Sequence, residues 1–216
     1  MVTLGILPET AQSGSQSGAT KASRSCTEAL PSALPAGTYQ AITDYLAMGG
    51  RVFGTDFQYT WYRNATDPAL AGTMTIVPGD SVGSSPITID TSFPKGKALA
   101  DWMQFVDAPL TYGQFDAANV YDHIVAALPT TQVWASSSTD GGATHARIVT
   151  TNTPVGRPLA QQCGKAVHLD LHITVGADND TPMNFPVSCA LAFFLFDVSS
   201  CVQNEGDAPR PPIVIP

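Results

Sequence analysis

The sequence predicts a single α/β domain: a mostly parallel sheet with helices on its faces and a β-rich insertion. Three observations predict it. Residues 39–54 read as an apolar-faced helix, a Gly49-Gly50 stop and a short buried strand, which is half of a strand–helix–strand unit and implies parallel pairing. Residues 165–175 form a long apolar strand, and residues 189–201 an apolar closing helix. At 216 residues the chain is long enough for one substantial core.

In chain order, Val2–Leu7 is an apolar run ended by Pro8 and reads as a buried strand. Residues 9–37 are rich in Ser, Gly, Gln, Ala and Thr and read as a flexible loop. Thr38 is a candidate N-cap, after which Ala41, Ile42, Tyr45 and Leu46 mark one helical face. Gly49 suits the left-handed position after a helix, and Val52-Phe53-Gly54 is the strand. Residues 63–94, punctuated by Pro, Gly, Asn and Asp, read as an insertion with two short strands, Thr73–Val77 and Ile87–Asp90. A helix follows at Ala98–Val106. Residues 119–128 fit a helix or a strand. Gln132–Ser137 and Ala146–Thr151 are strands around Thr139-Asp140-Gly141-Gly142, a hairpin composition. In the 165–175 strand, Val167, Leu169, Leu171 and Ile173 alternate with His168, Asp170 and His172. The domain is expected to end near residue 203, leaving a Pro-rich tail at 204–216.

Composition narrows the function. Hydrophobic residues make up 44% and charged residues 13%, with a formal charge of −8 and only 10 Lys plus Arg. Nucleic acid and anionic lipid are disfavoured as partners, since both demand basic side chains. No run approaches the ~18 apolar residues of a membrane span. The beginning Met1-Val-Thr-Leu has no basic region or cleavage site, which taken alone points to the cytoplasm. Cys26, Cys163, Cys189 and Cys201 lack C-x-x-C spacing; their even number and the Ser/Thr/Gly-rich, Lys-poor surface suit disulfides in an oxidising compartment, against the plainer reading of free thiols. The expectation is an extracytoplasmic or secreted protein whose export segment lies outside this chain.

Several residues carry potential chemistry. His168, Asp170 and His172 are ligand types that zinc or iron accepts. Same-face positions on a strand lie ~7 Å apart, however, so three ligands from one strand converge poorly. No cofactor is therefore expected, with a metal on these three residues as the alternative. In a parallel sheet Asp56 and His172 both approach strand carboxyl ends and form a candidate base with its orienting carboxylate, with Thr55 as a hydroxyl neighbour; the plainer reading is a structural ion pair. Gln58, Tyr59, Trp61 and Asp170, with Tyr62 and Tyr112 nearby, combine ring faces with short polar groups and suit a small molecule or a sugar. Against that, Trp61 serves equally to cover a sheet edge. His123 and His145 show no partner in sequence and read as surface or hairpin positions. Asn64-Ala-Thr66 and Asn179-Asp-Thr181 match the glycosylation sequon.

Five segments together resemble a family of uncharacterised secreted or surface proteins of myxobacterial type. They are Tyr45-Leu-Ala-Met-Gly-Gly-Arg-Val-Phe-Gly-Thr, Thr91-Ser-Phe-Pro-Lys-Gly-Lys-Ala-Leu-Ala-Asp-Trp, Thr151-Asn-Thr-Pro-Val-Gly, Cys163-Gly-Lys-Ala-Val-His-Leu-Asp-Leu-His and Phe194-Leu-Phe-Asp-Val-Ser-Ser-Cys-Val. That resemblance implies an exported, cysteine-stapled protein. The helix–Gly-Gly–strand unit and the Gly-Lys-Ala-Val-His strand are also similar, more distantly, to class I glutamine amidotransferase-like and trehalose-utilisation-type domains, which implies a flavodoxin-like three-layer sandwich. Such amidotransferases place a nucleophilic Cys after the strand that ends here at Gly54; this chain has Thr55-Asp56-Phe57-Gln58 there. The resulting expectation is a non-catalytic extracytoplasmic binding or structural module on that scaffold, with glycans as candidate ligands. The alternative is a hydrolase using Asp56 and His172, with or without a metal.

Overall fold

The structure is a computed structural model and describes residues 35–79, 82–118, 120–139, 141–171, 185–199 and 206–208. Helix α1 (Ala36–Ala47) starts two residues before the expected cap, with Pro35 at the N-cap, and buries Tyr39 and Leu46. It stops where the sequence says it should: Gly49 sits at φ +96°, a conformation that carries no Cβ penalty only for glycine. Strand β1 (Arg51–Thr55) follows directly. The short helices α2 (Thr60–Arg63) and α3 (Pro68–Ala71) then lead to β2 (Met74–Ile76). The Asp67 carboxylate caps α3 by accepting from the Ala69 amide at 2.9 Å.

The later elements are β3 (Ile87–Ile89), α4 (Pro94–Phe105), β4 (Gln114–Phe115), β5 (Ile124–Ala127), β6 (Thr131–Ser138), β7 (Thr144–Thr153), β8 (Gly164–Leu169) and α5 (Phe185–Ser199). Thus 119–128 resolves as a strand where it is regular. Strands β6 and β7 form the expected hairpin, antiparallel from Thr131↔Thr151 to Ser138↔Thr144.

The mostly parallel flavodoxin-like, amidotransferase-like sandwich is overturned by the strand pairing. The main sheet runs β1-β8-β7-β6-β3-β4, and within it only β1 and β8 are parallel. The other four pairings, β8–β7, β7–β6, β6–β3 and β3–β4, are antiparallel. A parallel neighbour needs a long crossover, whereas β6–β7 is a hairpin and β7 reaches β8 through only ten residues, 154–163, with one short 3-10 turn among them. Strand β2 pairs with β5 in a separate two-stranded sheet, while β3 belongs to the main one.

Two apolar cores lie on the two faces of the main sheet. One gathers Leu46, Tyr62, Leu70, Met74, Ile124, Val149 and Ala166, from α1, α2, α3 and the β2–β5 pair against the sheet. The other packs α4 and α5 on Ile87, Trp134, Ile148, Val167 and Leu169. Trp134 is its centre, edge-to-face with Phe93 and Phe194 at 5.1 and 4.8 Å, its indole N–H donating to Thr150 Oγ1 at 2.8 Å. Strand β8 is buried on both faces, so its alternation marks no wet side. The backbone at Gly164 explains how tightly α1 and β7 meet it: an added Cβ would lie 2.1 Å from the Leu46 carbonyl oxygen and 2.2 Å from Thr153 Oγ1.

Helix α5 is apolar on nearly every side and is tied down by one charge. Asp197 Oδ1 receives Lys95 Nζ at 3.0 Å and Oδ2 receives Lys165 Nζ at 2.5 Å, with all three side chains at least nine-tenths buried. Burial alone would raise the Asp197 carboxyl, but the two ammonium groups hold it below the ordinary carboxylate range. A carboxylate near a helix C-terminus opposes the helix dipole, so this position is explained by the lysines and not by the helix. Among the described residues no helix is long and apolar enough to cross a membrane. Removing one partner of a buried ion pair costs about 3–5 kcal/mol; Asp197→Ala and Asp197→Asn both leave two buried ammonium groups without a counter-charge, and each is expected to lose about that much by denaturant unfolding.

Candidate functional site

The polar centre lies where β8 ends, and it draws in residues that the sequence keeps far apart. The Asp170 carboxylate accepts from the His123 amide at 2.7 Å, the Ile124 amide at 3.2 Å and the His123 ring Nδ1 at 2.6 Å. Arg147 Nη1 stands 3.6 Å away on the other side. The Asp170 main chain is engaged as well, donating to the Arg147 carbonyl at 2.7 Å and accepting from the Tyr121 amide at 3.0 Å. One residue thereby joins the approach to β5, strand β7 and the end of β8.

His123 is fully buried rather than at the surface. Its second ring nitrogen, Nε2, contacts the Gly79 carbonyl oxygen at 2.9 Å. Both ring nitrogens therefore face acceptors, and only the doubly protonated imidazolium satisfies both. Burial works against that charge; the bond to Asp170 and its charge, the Gly79 carbonyl and the charge of Asp56 outweigh it and raise the ring's pKa. Three rings enclose it: Tyr121 stacks at 5.1 Å, Tyr59 lies at 4.5 Å and Phe57 at 5.6 Å.

Arg147, also fully buried, donates from Nε to Ser137 Oγ at 2.8 Å and from Nη1 to Asp122 Oδ1 at 2.8 Å. Asp122 Oδ1 also meets His145 Nδ1 at 2.7 Å. Partial burial would raise the Asp122 carboxyl, but hydrogen bonds from Arg147 and His145 bring it below its ordinary value. Both histidines read as isolated thus have partners, and both partners are aspartates.

His168 is the opposite case. It is fully buried, pairs across from Gly54 on β1, and neither ring nitrogen has a hydrogen-bond partner. The Tyr62 ring meets it edge-on at 5.6 Å, and the buried Tyr62 hydroxyl is likewise without a hydrogen bond. Desolvation, assisted by the nearby charge of His123 and opposed by Asp170, pulls His168 down to about 4. Its ring is neutral at physiological pH.

The expected site divides on these observations. Asp56 lies at the carboxyl end of β1, buried, with a left-handed backbone at φ +51°. Thr55 and Gln58 form a capping box in which the Thr55 amide donates to Gln58 Oε1 at 2.6 Å, so this Gln58 oxygen serves the turn. Tyr59 and Tyr62 are core residues, and Trp61 is partly buried against the α1-side core. They offer no open platform for a sugar. Asp170 is saturated by its own chain. His172, and with it the Asp56–His172 pair and the His168–Asp170–His172 metal set, lies outside the described residues. Among the described residues no group of three or more His, Cys, Asp or Glu is placed to hold a metal ion. Of the four candidate disulfide cysteines, Cys163 is exposed and Cys189 buried, and both are free in this structure. Cys26 and Cys201 lie outside the described residues. What the sequence reading missed was Arg147, whose only signal is a charged residue inside the apolar run Ala146–Val149, and the Asp122-His123 pair.

No protein-family model matches the chain, and no curated protein matches its sequence. The β-galactosidase from Rahnella sp. R3 is similar in structure over 74% of this chain, at 13% identity and a TM-score of 0.40; the match spans 21% of that enzyme's chain. At that score the likeness carries no argument about fold family or activity.

The two buried histidines set opposite limits on stability. His168, with its pKa depressed when folded, favours folding above the unfolded value of 6.5 and loses that contribution as pH falls toward about 4. His123, with its pKa raised, contributes fully below 6.5 and loses its share as pH rises through its folded value. Unfolding free energy measured against pH is expected to peak near 6.5 and to fall by about 3 kcal/mol by pH 4 from His168 alone. A flat profile from pH 6.5 to 4.5 would refute the neutral, buried assignment.

Proposed function

We propose that this protein is a non-catalytic, extracytoplasmic binding or structural module, with glycans as its ligand class. The observation that carries the first part is the closure of the polar centre. A general base needs a lone pair within reach of a substrate, yet Asp170 is filled by two amides and an imidazolium, and both nitrogens of His123 are engaged. His168 has free lone pairs but no exposed surface. The Cys expected of the amidotransferase scaffold is replaced by Thr55-Asp56, and that scaffold's sheet is not the one this chain builds. Export rests on the Ser/Thr/Gly-rich, Lys-poor composition and on the resemblance to secreted proteins of myxobacterial type.

One observation favours a second reading, a hydrolase built on Asp56. A non-glycine residue held at positive φ stores strain of about 1–3 kcal/mol, and such residues concentrate at functional sites. The two readings separate cleanly in an assay. Chromogenic esters, phosphoesters, amides and glycosides, tested from pH 5 to 8, are expected to show no turnover above the buffer blank. Turnover that Asp56→Asn abolishes without changing the melting temperature would establish the hydrolase instead.

A further inference from the structure

Helix α4 carries an aromatic strip on the side of the molecule away from α1. Phe105 is 83% exposed and Phe196, reaching across from α5, is 69% exposed. Trp102 stands between them, with ring centroids 6.2 Å from Phe105 and 6.4 Å from Phe196. Tyr112, 47% exposed, extends the strip: its hydroxyl donates to Asp101 Oδ1 at 2.8 Å. Asp101 also receives Lys97 Nζ, at 2.8 Å on Oδ2. Lys97, Asp101 and Phe105 are spaced i, i+4, i+8 and share one helix face, while Trp102 and Phe105 are i, i+3 neighbours. The exposed Phe105 ring is therefore bordered by aromatic rings on one side and by a hydrogen-bonded Lys–Asp–Tyr group on the other.

The elements that carry the strip are fastened to one another. The Trp102 indole N–H donates to the Cys189 carbonyl at 2.9 Å, locking α4 to α5, and Asp197 clamps α5 to Lys95 on α4 and Lys165 on β8. Trp102 and Tyr112, hydrogen-bonded in place, lose little freedom when a ligand stacks on them.

We propose that the Tyr112–Phe105–Trp102–Phe196 strip binds a neutral glycan chain, with sugar ring faces on the aromatics and hydroxyls on Asp101, Lys97 and Tyr112. This rests on the binding-module reading above and moves its ligand from the closed Tyr59–Trp61 segment to an open face. The polar group along the strip supplies the donors and acceptors that a sugar needs and a purely apolar partner does not. Two facts weigh against the other occupants. A net charge of −8 on each copy opposes self-association through this face. The same charge, with few Lys and Arg, opposes anionic glycans and anionic lipid.

The test is binding of the full chain to an array of neutral oligosaccharides, with affinities then measured by calorimetry on the best binder. Phe105→Ser and Tyr112→Ser are expected to weaken binding by about tenfold or more each, at unchanged melting temperature. Met48→Ser, an equally exposed apolar change on the opposite face of the sheet, is expected to leave it unaltered. If the unaltered protein binds and both strip variants bind equally well, or if Met48→Ser weakens binding as much, this face is wrong while the glycan-binding reading stands. If the unaltered protein binds none of the array, both the face and the glycan reading fall. If light scattering shows a dimer that Phe105→Ser dissociates, the strip belongs to a second copy and the proposal is overturned.

Discussion

A buried carboxylate is costly unless hydrogen bonds and charge surround it, and the way Asp170 meets that requirement governs the rest of this molecule. Its partners come from 23 to 49 residues back in the chain: Arg147, Ile124, His123 and the Tyr121 amide. No element holding one of them can shift without leaving a charge or an amide unsatisfied. The Gly79 carbonyl is drawn in through the imidazolium, so the approach to the β2–β5 pair is fixed to the end of β8 as well.

The opposite core is organised in the same manner. Asp197 stands between two buried lysines, one on α4 and one on β8, and so fixes a helix whose apolar surface by itself specifies no orientation. Hydrophobic burial is non-directional; the two aspartates supply direction. A consequence is visible on the outer side of α4 and α5. With the inner contacts defined by charge and by Trp134, aromatic side chains such as Phe105 and Phe196 are left facing solvent.

The polar centre has the composition of an active site without its accessibility. Imidazole, carboxylate and guanidinium lie within a few ångströms, yet each group of Asp170 and His123 that could act on a substrate is committed to the fold. Asp56 retains a strained backbone beside this centre. Side-chain type did not report accessibility here, because residues that can perform acid–base chemistry in an open cleft are buried and hydrogen-bonded within this fold.

Local features were legible in the sequence, since local steric and hydrophobic rules suffice for them. The Gly49 stop, the β6–β7 hairpin, α4 and α5 all follow from spacing and turn composition within about a dozen residues. Strand direction was not legible: β1 runs parallel to β8, more than a hundred residues away, and the remaining strands pair by hairpins and short connections whose partners no periodicity names. The aromatic run Tyr59–Tyr62 looked like a binding surface because sequence reports ring type and not depth; packing put Tyr59 on His123 and Tyr62 on His168. The pairing of His123 with Asp170 lay beyond the sequence for the same reason. Composition and local pattern determined which segments become helix or strand, whereas long-range register decided which charges meet, because a buried charge selects its partner by distance in space and not along the chain.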